Sequence, residues 1–92
     1  SWTLSMNVFI IPGNPPARHF YQLWADEIQK KHSKCAIYIS SYGSGSKKQD
    51  SFAYLHDVAF DHGQKLLAFH QAVQNKVIVI GHSLGAWMAL NM

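Results

Sequence analysis

Cysteine is almost missing from this chain: Cys35 is the only one in 92 residues. No internal disulfide can form, which fits a reducing compartment. Charge is sparse at 14%, yet the hydrophobic share is 48%. That balance excludes a disordered composition. No apolar run approaches the roughly 18 residues that a membrane-crossing helix needs. No secretory signal pattern and no N-x-[ST] acceptor is present. Acidic residues number only 5 against 8 basic ones, for a net charge of +3. The basic residues Arg18, Lys30, Lys31, Lys34, Lys47, Lys48, Lys65 and Lys76 fall singly or in pairs. They read as solvated helix ends and loops, so no nucleic-acid partner is expected. At this length, residues 1–92 form at most one small domain.

What is present alternates in period. Val8-Phe9-Ile10-Ile11 is an unbroken apolar run closed by Pro12-Gly13-Asn14-Pro15-Pro16. Such a run bounded by a turn predicts a strand buried on both faces. From Ala17, Phe20, Leu23, Trp24 and Ile28 recur at helical spacing, with Asp26, Glu27, Lys30 and Lys31 off the stripe. A helix ending near His32-Ser33 is expected, with Phe20 and Trp24 in the core. Ala36-Ile37-Tyr38-Ile39 predicts a second strand, and Ser40 to Asp50 a Ser/Gly/Lys loop.

Phe52, Leu55, Ala59, His62, Leu66, Phe69 and Val73 form a longer helical stripe. Gly63 costs that helix about 1 kcal/mol relative to alanine, so a break near Asp61 to Gly63 is one expectation. Val77-Ile78-Val79-Ile80 is the purest strand pattern, and Ala86 to Met92 begins a last helix. The fold class is therefore α/β. Strands and helices in βαβαβα order predict a parallel sheet with helices on both faces.

Gly81-His82-Ser83-Leu84-Gly85 fits G-x-S-x-G between the third strand and the last helix. A serine that leaves a strand and enters a helix within one residue needs a strained backbone. Flanking glycines are required because a Cβ there would strike the neighbouring chain. The turn would lift the Ser83 hydroxyl clear of the sheet and set the Leu84 amide at a helix N-terminus, where it can stabilise an oxyanion. Asn14 supplies the second candidate amide, with Gly13 letting the chain approach a substrate closely. Ser83 is thus the candidate nucleophile; Leu84, Asn14 and Gly13 are the candidate oxyanion hole; Gly81, His82 and Gly85 build the turn. The competing readings are a tight strand–helix turn with no chemistry, and a Pro/Gly turn that only redirects the chain.

His82 is expected to pack beside the turn rather than act as a base, and His62 to be a core histidine. Trp87 reads as core. Gly43-Ser44-Gly45-Ser46-Lys47 lacks the phosphate-loop order and reads as a surface loop. No metal or cofactor is implied. A serine nucleophile needs a histidine and an acid, in the chain order Ser, Asp/Glu, His. No Asp, Glu or His follows Ser83 here. The expectation is a partial α/β-hydrolase fold: residues 1–92 as the N-terminal part of one domain, ending before the acid and histidine strands and inert by itself.

The elements strand-Pro12-Gly13-Asn14-Pro15, Phe20-Tyr21, Gln64-Lys65-Leu66-Leu67-Ala68-Phe69 and Val79-Ile80-Gly81-His82-Ser83-Leu84-Gly85 resemble the lipid droplet-associated hydrolase family. The resemblance implies a serine hydrolase of lipid esters with Ser83 as nucleophile. It also implies work at the lipid droplet or endoplasmic reticulum surface, on the cytosolic side. Two stretches depart from the family pattern: Pro16 stands where glycine is usual, and Ser40-Ser41-Tyr42-Gly43 replaces a His/Gly-containing stretch. A non-catalytic lipid- or protein-binding module on the same fold is the alternative.

Overall fold

The computed structural model describes residues 6–13, 18–41 and 51–92, without the side chains of 51 and 52. Among the described residues six elements follow in order: β1 (Asn7–Ile11), α1 (Arg18–Lys31), β2 (Ile37–Ile39), α2 (Ser51–Val73), β3 (Val77–Gly81) and α3 (Leu84–Leu90). All strands are parallel and lie in the order β2-β1-β3. The register pairs Val8 with Ile37 and Ile78, and Ile10 with Ile39 and Ile80.

Side-chain alternation along β1 divides the core into two layers. Val8 and Ile10 face α1 and pack with Tyr21, Ala25, Cys35 and Ile39. Phe9 and Ile11 face α2 and α3 and pack with Val58, Ala59 and Met88. Helices therefore cover both faces, as the unbroken apolar strands required. Burial is complete only at the central strand. Phe9, Ile10 and Ile11 are fully buried, whereas β3, the purer apolar run, is half-buried with Ile78 37% exposed. Position in the sheet decides this, because an edge strand has a neighbour on one side only. Asn7 is buried at the foot of β1. Its side chain donates to the Lys76 carbonyl (3.1 Å) and accepts from the Ala36 amide (3.3 Å), pinning both neighbouring strands.

Two details differ from the periodicity. In α1 the inward face is turned by about one residue. Tyr21 and Ala25 are buried, while Phe20 and Leu23 are 44% and 52% exposed. Trp24 and Trp87 are half-buried and pack against the two core clusters. In α2 the helix runs unbroken through Gly63. Glycine keeps its backbone hydrogen bonds, and packing of Val58, Ala59, Leu66 and Phe69 outweighs its entropy cost. The Gly43–Lys47 loop and Asn14 lie outside the described residues.

His62 is buried, and its Nδ1 lies 2.5 Å from the Ser40 hydroxyl at the end of β2. Lys65 ion-pairs with Asp61 (2.8 Å) and donates to the Ser41 carbonyl, adding a second tie between α2 and β2. Burial lowers the His62 pKa from its ordinary value; Lys65 lowers it further and Asp61 opposes. An unfolded histidine takes its proton near pH 6.5, the folded one at lower pH. Below about pH 6.5 the unfolded state binds more protons, so stability falls as pH falls there. In thermal melts from pH 7.5 to 5, His62→Asn should have a flatter Tm-versus-pH slope than the wild type. Equal slopes would show that His62 does not carry this dependence.

Candidate functional site

The site lies where β1 and β3 end side by side. Strand β3 finishes at Gly81, and α3 begins at Leu84. Ser83 makes the reversal with φ 59° and ψ −123°. This is a disfavoured backbone conformation for any residue with a Cβ, of the sort that persists only where surrounding packing imposes it. The packing here is backbone against backbone. A Cβ on Gly81 would lie 2.5 Å from the Gly85 carbonyl oxygen and 2.7 Å from Ala86 Cα. A Cβ on Gly85 would strike the Ile11 carbonyl oxygen and lie 2.8 Å from that of Pro12. Both glycines are thus needed for α3 to leave the sheet immediately and still lie against the end of β1.

Hydrogen bonds close the turn. The His82 amide donates to the Ile11 carbonyl (3.3 Å), extending the ladder one residue. The amides of Gly85 and Ala86 donate to the carbonyls of His82 and Ser83, each at 2.9 Å. The Leu84 amide, first in the helix, makes no hydrogen bond among the described residues, as expected of an N-terminal helical N–H. Ser83 itself is exposed. Among the described residues no side chain hydrogen-bonds its hydroxyl.

Gly13 comes directly against this turn. A Cβ there would lie 2.9 Å from the His82 carbonyl oxygen and 3.1 Å from Ser83 Cβ. The structure therefore brings Gly13, Gly81, His82, Ser83, Leu84 and Gly85 together. Gly13 does so by lacking a side chain, not by offering a donor, because its amide donates to the buried Tyr21 hydroxyl at 2.8 Å. Tyr21 Oη is in turn 2.9 Å from His82 Nδ1. The His82 ring packs edgewise against Tyr21 and Trp24, with centroids at 5.9 and 5.6 Å, and beside Phe20. These contacts tie His82 to α1.

Tyr21 is the site residue that periodicity missed. Of the Phe20/Leu23/Trp24/Ile28 stripe, Trp24 and Ile28 pack against the inner cluster, whereas Phe20 and Leu23 lie exposed. Tyr21 and Ala25, at i and i+4, complete the buried face that Trp24 and Ile28 flank. Nothing in the sequence indicated that the tyrosine hydroxyl would reach two other segments. No group of three or more His, Cys, Asp or Glu suited to a metal occurs among the described residues. An open groove of about 490 Å³ between α2 and β3, lined by Leu66, Leu67, Val77, Val79 and Met92, includes none of the residues around Ser83.

Fold and site together define an α/β protein with a G-x-S-x-G strand–turn–helix at the end of a parallel sheet. The model of the lipid-droplet associated hydrolase family matches residues 5–92, and the chain belongs to that family. No curated protein and no solved structure gives a significant match. Membership supports a lipid-droplet associated, hydrolase-like function in general terms.

Proposed function

We propose that the protein is a serine hydrolase of lipid esters in which Ser83 is the nucleophile. The observation that carries this is the Ser83 backbone: a strained, exposed serine held at φ 59° between a parallel strand and a helix. Backbone strain of this kind clusters at active sites and ligand clamps, which supports a role for the hydroxyl it exposes. Ser83 Oγ attacks the ester carbonyl carbon while its proton passes to a base. The carbonyl oxygen becomes an oxyanion, which the amides of Leu84 and Asn14 stabilise. Gly13 admits the substrate close to the turn. The C–O bond then breaks, the alcohol leaves with a proton, and water hydrolyses the acyl-serine.

Among the described residues no histidine or carboxylate hydrogen-bonds the Ser83 hydroxyl. In this fold class both follow the serine in the chain. Because no described side chain hydrogen-bonds the Ser83 hydroxyl, residues 1–92 tested by themselves are expected to lack turnover. No metal or cofactor is needed for the chemistry. The substrate is presented at a lipid droplet or endoplasmic reticulum surface, on the cytosolic side; the scattered cations offer no footprint for a nucleic acid.

An active-site fluorophosphonate tests this. The natural full-length protein should label at Ser83 and Ser83→Ala should not, while the isolated 92-residue chain stays unlabelled. Failure of the full-length protein to label favours a binding module that keeps the fold without the reaction. Strong labelling of the isolated chain would reveal a base within it.

A further inference from the structure

The Tyr21 hydroxyl joins three segments that the sequence separates. It accepts from the Gly13 amide at 2.8 Å and meets His82 Nδ1 at 2.9 Å, and the residue is only 2% exposed. A tyrosine hydroxyl has one proton to give. The Gly13 N–H can only donate, so that bond uses a lone pair of the oxygen. If His82 Nδ1 also donated, the buried hydroxyl proton would have no acceptor among the described residues, at the cost of an unsatisfied buried group. The proton count therefore runs Gly13 N–H to Tyr21 Oη, and Tyr21 Oη–H to His82 Nδ1. His82 is left as the tautomer with its proton on Nε2.

We propose that Tyr21 is a positioning residue that clamps the segment after β1 to the Ser83 turn. Gly13 and Asn14 are consecutive, as are His82, Ser83 and Leu84. Fixing Gly13 against His82 fixes the segment that follows β1, as far as Gly13, relative to the turn that carries Ser83 and the Leu84 amide. Gly13 also lies where a Cβ would come within 3.1 Å of Ser83 Cβ, so a small shift of either segment would change the opening between them. The T-shaped contacts of Tyr21 with Trp24 and His82 hold the ring itself in place. The proposal rests on the serine hydrolase reading for its effect on rate, but the clamp is a structural claim of its own.

Tyr21→Phe in the full-length protein keeps the ring and removes the hydroxyl. Two measurements apply. The first is the ring-nitrogen NMR spectrum of His82. The wild type should show an unprotonated, hydrogen-bonded Nδ1, and the variant a mixture of tautomers. The second is kcat, KM and the rate of Ser83 phosphonylation. In Tyr21→Phe, kcat and phosphonylation should fall about tenfold, with KM within about twofold, as misplacement of a reacting group predicts. His82→Ala should reproduce the loss, and the double variant should be no slower than either alone.

An unchanged His82 spectrum in Tyr21→Phe overturns the clamp. A labelled wild type whose rate Tyr21→Phe leaves unaltered overturns the positioning role only. A wild type that never labels overturns the hydrolase reading and the rate effect with it, leaving the clamp to be decided by the spectrum.

Discussion

Gly85→Ala is expected to cost about 3–5 kcal/mol, enough to leave the protein largely unfolded or with the turn rebuilt. The added methyl would occupy the space of the Ile11 carbonyl oxygen, and no flexible side chain is there to move aside. Ile11 belongs to the central, fully buried strand, so relief requires α3 to lift from the sheet or β1 to shift within both core layers. Gly81→Ala should behave alike, since its nearest atoms are also backbone, at 2.5 and 2.7 Å. Gly63→Ala is the internal control. Its Cβ would meet the Met92 side chain at an ordinary 3.5 Å, and the position is helical. It should gain about 0.5–1 kcal/mol from helix propensity. Denaturant midpoints for the three variants provide the check. Equal effects at all three positions would mean that the close approach at the turn is unimportant.

Ser83→Gly should separate function from stability. The hydroxyl disappears, so phosphonylation vanishes and ester turnover falls by 10³-fold or more, on the order seen when a triad nucleophile is removed. Stability should instead rise. A residue with a Cβ at φ 59° and ψ −123° carries roughly 1–3 kcal/mol of backbone strain, and glycine removes most of it. The greater freedom of glycine in the unfolded chain returns about 0.5–1 kcal/mol. A net gain of about 1 kcal/mol remains, visible as a higher Tm. Ser83→Ala keeps the strained backbone and should lose activity without that gain. Should Ser83→Gly be no more stable than Ser83→Ala, the strain assigned to this position would be absent.

Both predictions rest on features that the residue order states openly. An unbroken apolar run followed by Gly-x-Ser-x-Gly permits little but a strand turning sharply into a helix. Parallel pairing follows because helical segments separate successive strands. The glycines were legible as positions where a Cβ would strike the adjacent strand or helix, although not which backbone atoms it would meet.

Other features were invisible because they belong to pairs of distant segments. Periodicity reports which residues share a face and not which neighbour covers it. Phe20 therefore looked as suitable for the core as Tyr21, and the register of α1 against β1 chose between them. Gly63 looked like a break until the packing of α2 on the sheet outweighed its cost. The Ser40–His62 contact and the Tyr21 link to Gly13 and His82 each join elements far apart in the chain.

The sequence by itself determined the alternation of strand and helix, the parallel sheet and the serine at the bend, because backbone sterics and side-chain period act over a few residues. Only the tertiary structure decided that β1 takes the centre, that Gly13 rests against Ser83, and that a tyrosine hydroxyl ties Gly13 to His82. Those outcomes depend on the distance between segments brought together by burial, which no local pattern encodes.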